Sequence, residues 1–380
     1  MSPMIYLDNA ATTWPKPPGV AEEVMRAITE YGGDPGRSSH LLSLRAAEKV
    51  EEAREAIAAL IAAEHPENII FTQNATYALN LAIKTRVRRG THILISDREH
   101  NAVYRPLCRL MRDGVADFDV FSTRGDVCRN ILSLCRKNTD MLVCNHVSNV
   151  DGTRQPVEAI GRLCREKGIY FIVDASQSLG HLPLSLAEIP ADALCAPGHK
   201  GLFGIQGSGF AYLRSGNGLR EFMEGGSGSA SLSPEMPQEL PERMEAGTLQ
   251  TPAIASLLAG VAFVRRLTPD AIAEKEAALS ARLCARLDVM HGVDIYHGGG
   301  GVVSFTARTL SPERIGSLLD RQNICVRSGL HCAPLAHAAI GTQRTGSVRV
   351  SFSWFNTEKE VDRFADALRD ILEKEKEAPA

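Results

Sequence analysis

Lys200 lies in the run Ala196-Pro197-Gly198-His199-Lys200-Gly201, a glycine turn between two apolar stretches. A lysine amine held in such a turn can condense with a carbonyl cofactor to form an imine. By itself the tripeptide also reads as an ordinary solvated turn. Asp174 ends the apolar run Tyr170-Phe171-Ile172-Val173, and Gln177 follows three residues on. A carboxylate there can pair with a protonated ring nitrogen and strengthen an electron sink, or simply cap a turn. Cys332 sits in Arg327-Ser328-Gly329-Leu330-His331-Cys332-Ala333, where neighbouring cations favour the nucleophilic thiolate. Arg349 lies in the alternating stretch Val348-Arg349-Val350-Ser351-Phe352. A strand-borne arginine is suited to gripping a carboxylate with two bonds, with a surface ion pair as the plainer reading.

Three further groups belong to the same set. Gln73-Asn74-Ala75-Thr76 joins a strand-like run to a helical one, so backbone amides at Ala75 and the Thr76 hydroxyl offer a phosphate site or a simple helix cap. His100, in Glu99-His100-Asn101, follows a short turn and can stack on an aromatic ring or move a proton. Asn149, in Ser148-Asn149-Val150-Asp151-Gly152, is placed to bond a ligand oxygen, or serves as a polar loop residue. The histidines and cysteines show none of the usual metal-ligand spacings, so no metal is expected.

Alternating elements must position these residues. Helical periodicity covers 20–31 and 43–63, the second opening on a serine cap at Ser43. Strands are predicted over 68–72, 92–96, 118–121, 141–145, 169–174, 193–196 and 209–213. Helices over 76–88, 101–113 and 156–167 lie between them, and Arg86 to Arg89 reads as a solvated helix end. Such alternation of helices with apolar runs argues for a mostly parallel α/β sheet. The stretch 225–242 is rich in Gly, Ser and Pro and reads as a long surface loop facing a ligand or partner. Helices over 252–266 and 270–290 follow. A smaller α+β unit comes last, with strands near 302–306, 324–327 and 347–353, helices over 312–321 and 358–373, and a frayed charged end over 373–380.

A chain of 380 residues with 44% hydrophobic and 23% charged content can bury a large core in two domains. A net charge of -3, with no basic patch carrying interleaved aromatics, gives no field for nucleic acid or an anionic membrane. No apolar run approaches a membrane span and no secretory leader is visible at the start. Nine cysteines, an odd number without Cys-x-x-Cys spacing, argue against a disulfide framework and for a reducing cytoplasm.

In order and spacing, these pieces resemble the fold-type I pyridoxal-phosphate enzymes of the class V aminotransferase group, and within it the cysteine desulfurases and selenocysteine lyases. The resemblance starts at Tyr6-Leu7-Asp8-Asn9-Ala10-Ala11. It runs through Glu99-His100-Asn101, Val147-Ser148-Asn149, Asp174-Ala175-Ser176-Gln177, Gly198-His199-Lys200 and Glu245-Ala246-Gly247-Thr248. It ends with Arg327 to Cys332 and Arg349 to Asn356.

The resemblance implies a seven-stranded, mostly parallel sheet in a large cofactor-binding domain, residues 16–250. An N-terminal arm, 1–15, would pack on a small α+β domain, 251–380, that carries the Cys332 loop and Arg349. Lys200 would hold pyridoxal 5'-phosphate and then shuttle the substrate's Cα proton. Asp174 would pair with the ring nitrogen, Gln177 and Asn149 would face the ring hydroxyl, and His100 would stack on the ring. Thr76, the backbone at Ala75 and His199 would hold the phosphate. Thr248 would reach the phosphate of a second subunit, which implies a homodimer. Arg349, with Asn149, would bind the substrate carboxylate. Cys332 would take sulfur from L-cysteine as a persulfide, release L-alanine and pass the sulfur to an acceptor protein or thiol.

The sequence around Cys332 resembles the second subgroup, which includes enzymes acting on L-selenocysteine. Pro197 stands where many relatives place a phosphate-contacting serine, and Gln73-Asn74-Ala75 departs from the usual phosphate turn. A class V aminotransferase or another β-lyase in which Cys332 is incidental is the alternative enzyme, and a sulfur-carrier docking scaffold the non-enzymatic one.

Overall fold

The computed structural model describes residues 3–36 and 38–377. β1 (Ile5–Tyr6) is followed by α1 (Pro18–Thr29) and α2 (Leu41–Ile61). Alternation then runs β2 (Ile69–Thr72), α3 (Ala75–Arg86), β3 (Thr91–Ser96), α4 (Asn101–Arg112), β4 (Ala116–Phe121) and α5 (Val127–Leu134). It continues with β5 (Thr139–Asn145), α6 (Val157–Lys167), β6 (Tyr170–Asp174), β7 (Ala193–Pro197) and β8 (Gly209–Leu213). An irregular stretch, 214–250, leads to α7 (Thr251–Leu267), α8 (Pro269–Asp288), β9 (Val293–Tyr296), β10 (Val302–Ala307) and α9 (Pro312–Asp320). The chain closes with β11 (Ile324–Cys325), β12 (Arg327–Gly329), α10 (Pro334–Ile340), β13 (Ser347–Ser351) and α11 (Glu358–Glu377).

The large sheet has the order β2-β8-β7-β6-β5-β3-β4. The strands from β7 to β4 are parallel, and β8 is antiparallel to both β7 and β2. Continuous apolar strands such as Phe171-Ile172-Val173 need cover on both faces. One face is covered by α2, α5, α6 and α7, with Ile57, Ile131, Ile160 and Leu257 in its core. The other is covered by α3 and α4, through Leu79, Ile83 and Val103. A second sheet, β12-β13-β10-β9, is antiparallel. Its core joins Val303 and Val350 to Leu283 of α8, Ile315 of α9 and Phe364 of α11. The arm is built into this core through Ile5 and Leu7, because β1 pairs in parallel with β11. Two arm residues, Met1 and Ser2, lie outside the described residues.

Several expectations are corrected. Helix α2 starts at Leu41 and is capped by His40, whose ring accepts the Ser43 amide at 3.2 Å; the Ser43 hydroxyl instead donates to the Asp34 carbonyl. Arg86 is not a solvated helix end, since it pairs with Asp140 at 2.9 Å and lies over the Tyr170 ring. The strand expected over 324–327 is two, β11 beside the arm and β12 in the second sheet, with Val326 between them. Helices α5 and α10 and strand β9 had no clear signal, being short and in part exposed. Helix α11 runs on to Glu377, and the rest of the end expected to fray, 378–380, lies outside the described residues.

The turn after β6 is pressed against the Lys200 turn. Gly180 has φ +86°, and a Cβ there would lie 2.2 Å from the Gly201 carbonyl oxygen. Gly180→Ala is expected to lower the unfolding free energy by about 2–4 kcal/mol, combining the left-handed penalty with overpacking. Gly168→Ala, with φ +67° but open space around it, should lose only the backbone part, about 1–2 kcal/mol. Urea unfolding of the two variants measures the difference.

Candidate active site

The C-terminal ends of β5, β6 and β7 open on a cavity of about 220 Å³. Lys200, Asp174, Gln177, Asn149, His100, Ala75, Thr76, His199 and Arg349 all line it, so most of the sequence-derived set converges on one space. Ligands collect at strand ends in open α/β sheets because loops and helix starts diverge there. Asp174, the last residue of β6, is buried and accepts the Ser176 amide at 2.9 Å. Burial raises its carboxyl, while the Ser176 hydrogen bond and the Lys200 charge oppose the rise.

Lys200 faces the cavity from the turn after β7. Burial lowers its amine to about 8, helped by Arg349 and Arg327 and resisted by Asp174. His100 caps α4, its Nδ1 accepting the Ala102 amide at 3.0 Å. Burial, with Lys200 and Arg327 next in weight, pulls its ring down to about 4. His100 is therefore a neutral ring at physiological pH. His199 is likewise held near 4 by burial and Lys200. Its carbonyl is gripped by the Thr13 amide at 3.1 Å, the Thr12 hydroxyl at 3.2 Å and Lys16 Nζ at 2.8 Å. The arm thus braces the lysine turn from behind.

Asn149 is the junction. Its Nδ2 donates to the His331 carbonyl at 2.8 Å and its own carbonyl accepts Arg349 Nη1 at 3.0 Å. His331 and Cys332 both have left-handed backbones, φ +48° and +56°, which non-glycine residues adopt only when surroundings enforce it. The enforcement is visible. His331 is buried with Nε2 at 3.1 Å from the Ser347 hydroxyl, and the Cys332 carbonyl accepts the Asn101 amide at 2.7 Å. Cys332 itself is exposed at the cavity mouth and is not one of the lining residues; Arg327, which does line it, places Nη2 at 3.7 Å from Sγ. All nine cysteines are free, and Cys332 alone is exposed.

Thr248 is not brought to this cavity; it is exposed and its hydroxyl lies 3.3 Å from Asp34 Oδ2. Residues missed by the sequence reading also line the site. Asn145 pairs in register with Asp174, and Ala10 accepts Gln177 Nε2 at 2.9 Å. Asp8 stands in the sequence only as part of a motif, yet it ion-pairs with Arg349 at 2.7 Å. The polar spacing of the arm carried the signal, but nothing local said which strand it would meet. No cluster of metal-ligating side chains occurs among the described residues.

The residues fit pyridoxal phosphate. Asn149 Oδ1, Asn145 Oδ1 and His199 Nδ1 are buried around the cavity without partners, a cost that a polar ligand removes. At the start of α3, the Ala75 and Thr76 amides have no partner among the described residues, which leaves an anion cradle. Because a neutral amine is the nucleophile toward a carbonyl, capture of the cofactor by apoprotein should quicken as pH rises. The midpoint should lie near 8, where burial has put Lys200, and not near the ordinary 10.5. Absorbance-monitored capture between pH 6 and 10, a range set by roughly two units either side of that midpoint, measures it.

Comparison with known proteins identifies the family to which this fold belongs. The family model for aminotransferase class-V matches residues 5–364. A probable cysteine desulfurase of Methanothermobacter thermautotrophicus is 33% identical over 379 residues, covering 97% of this chain and 94% of the relative. One from Pyrococcus abyssi is 32% identical, covering 97% and 94%. The solved apo structure of a cysteine desulfurase from Thermococcus onnurineus NA1 superposes with a TM-score of 0.90 at 30% identity, over 98% of this chain and 95% of that one. The expected fold-type I architecture is therefore the one present, and the chain belongs to the class-V aminotransferase family.

Proposed function

We propose that this protein is a pyridoxal-phosphate-dependent cysteine desulfurase, which takes sulfur from L-cysteine, leaves it as a persulfide on Cys332 and releases L-alanine. The observation that carries the reading is the exposed Cys332 held in a left-handed turn at the mouth of the Lys200 cavity. The names of the relatives favour desulfuration over transamination. Bound pyridoxal phosphate supplies an electron sink that loosens the bonds at the substrate's Cα and Cβ. Lys200 anchors the cofactor and, with an amine near neutrality in proton affinity, takes and returns the Cα proton. Asp174 would pair with the ring nitrogen, His100, a neutral imidazole, would stack on the ring, and Gln177 and Asn149 would face the ring hydroxyl. The Ala75 and Thr76 amides, with His199, would hold the phosphate. Arg349 and Asn149 orient the substrate carboxylate. Cys332 Sγ bonds to the substrate sulfur as the carbon–sulfur bond breaks.

The remaining features follow the same reading. Thr248, exposed and outside the lining of its own cavity, would serve the phosphate of a second subunit in a homodimer. Residues 16–250 form the cofactor domain and 251–380 the small domain, except that α7 belongs with the large sheet it covers. Helix α7 packs Ile254 and Leu257 on the large sheet. The arm, 1–15, links the two, its Ala10 amide donating to the Ser351 hydroxyl at 2.9 Å. Nine free thiols suit a reducing cytoplasm, and the exposed persulfide can be handed to an acceptor protein or thiol. Cys332→Ser is expected to cut alanine formation from L-cysteine by about 100-fold or more, the scale of losing a nucleophile, with the cofactor absorbance intact. Undiminished turnover would refute the reading.

A further inference from the structure

Arg349 is 1% exposed, and its three nitrogens are unequally used. Nη2 pairs with Asp8 Oδ1 at 2.7 Å and Nη1 donates to the Asn149 carbonyl at 3.0 Å, while Nε is buried without a partner. Nε–H and one Nη2–H point in parallel along one edge of a guanidinium, the edge that grips a carboxylate with two bonds. Here an internal carboxylate holds Nη2 alone and leaves Nε unmet. The binding edge is therefore half-used, and the group on it has the chemistry of the substrate's own carboxylate.

Asp8 can leave without disturbing the arm. Its carbonyl accepts the Ala11 amide at 3.1 Å and the Tyr6 hydroxyl at 3.2 Å, and its backbone bridges to Ser351. Its side chain is 21% exposed, so rotation carries it to water. Exchange of one carboxylate for another keeps the charge beside Arg349 constant. Rehydration of Asp8 then offsets desolvation of the incoming group.

Resting on the assignment of Arg349 as the carboxylate clamp, we infer that Asp8 is a placeholder for the substrate carboxylate. It occupies Nη2 until an α-carboxylate displaces it and completes the two-bond grip with Nε. Asp8 thus lowers affinity for every carboxylate ligand and leaves ligands without one unaffected. It keeps the buried guanidinium neutralised between turnovers.

The test is titration calorimetry of the holoenzyme with two probes. 3-Mercaptopropionate has the carboxylate and thiol but no amine, and cysteamine has no carboxylate. In Asp8→Asn the first is expected to bind about three- to tenfold tighter, the scale of one charge-assisted hydrogen bond released from competition. Cysteamine should bind as in the wild type, and KM for L-cysteine should fall with kcat changed less. Asp8→Glu, which restores the competing charge, should return 3-mercaptopropionate affinity to the wild-type level, and thermal unfolding of both variants reports whether the arm stays docked. Unchanged or weaker 3-mercaptopropionate binding in a folded Asp8→Asn protein overturns the placeholder, provided that Arg349→Lys still weakens that ligand. If Arg349→Lys leaves it unchanged, the clamp assignment itself falls and the placeholder with it.

Discussion

The site depends on taking a lysine amine out of water without giving it a full counter-charge. Burial lowers Lys200 to about 8, two cationic guanidiniums push the same way, and Asp174 opposes. Asp174 does not cancel the burial of Lys200, because burial also disfavours its own charged form. One short stretch of parallel sheet sets this balance. Asn145 and Asp174 stand side by side at the ends of β5 and β6, and the lysine turn leaves the next strand. Shifting any of these strands by one residue would turn these side chains from the cavity to the opposite face.

Around that balance, the arm and the small sheet act as a brace. Asp8 neutralises Arg349, Ala10 receives Gln177, and Thr12, Thr13 and Lys16 hold the carbonyl of His199. Asn149 then connects the cavity to the Cys332 loop, since its side chain touches the His331 carbonyl while its backbone meets Arg349. The strained backbone at His331 and Cys332 is the cost of presenting a thiol at the cavity mouth while its neighbour's ring stays buried. Chemistry and fold meet at that pair.

Much of this was legible in the residues because it is local. Asp174 and Gln177 at a strand end, Lys200 in a glycine turn and the apolar strands are all set by sequence neighbours, and they line the expected cavity. What was not legible depends on distant partners. The His40 cap displaced the expected Ser43 cap because the Ser43 hydroxyl found the Asp34 carbonyl. The Asp8–Arg349 pair joins residues 341 apart in sequence, and its formation rests on β1 pairing with β11, two-residue strands too short to carry a period. Arg327 was read as a neighbour of Cys332, but its place in the cavity wall follows from the break between β11 and β12.

The proposed desulfuration turns on Cys332 receiving the sulfur. Holoenzyme exposed to L-cysteine without any acceptor, then digested and weighed by mass spectrometry, tests it most directly. One added sulfur atom on the peptide bearing Cys332 is expected, together with about one alanine per subunit, as a single nucleophile requires. Alanine release continuing over many turnovers with that peptide unmodified would contradict it.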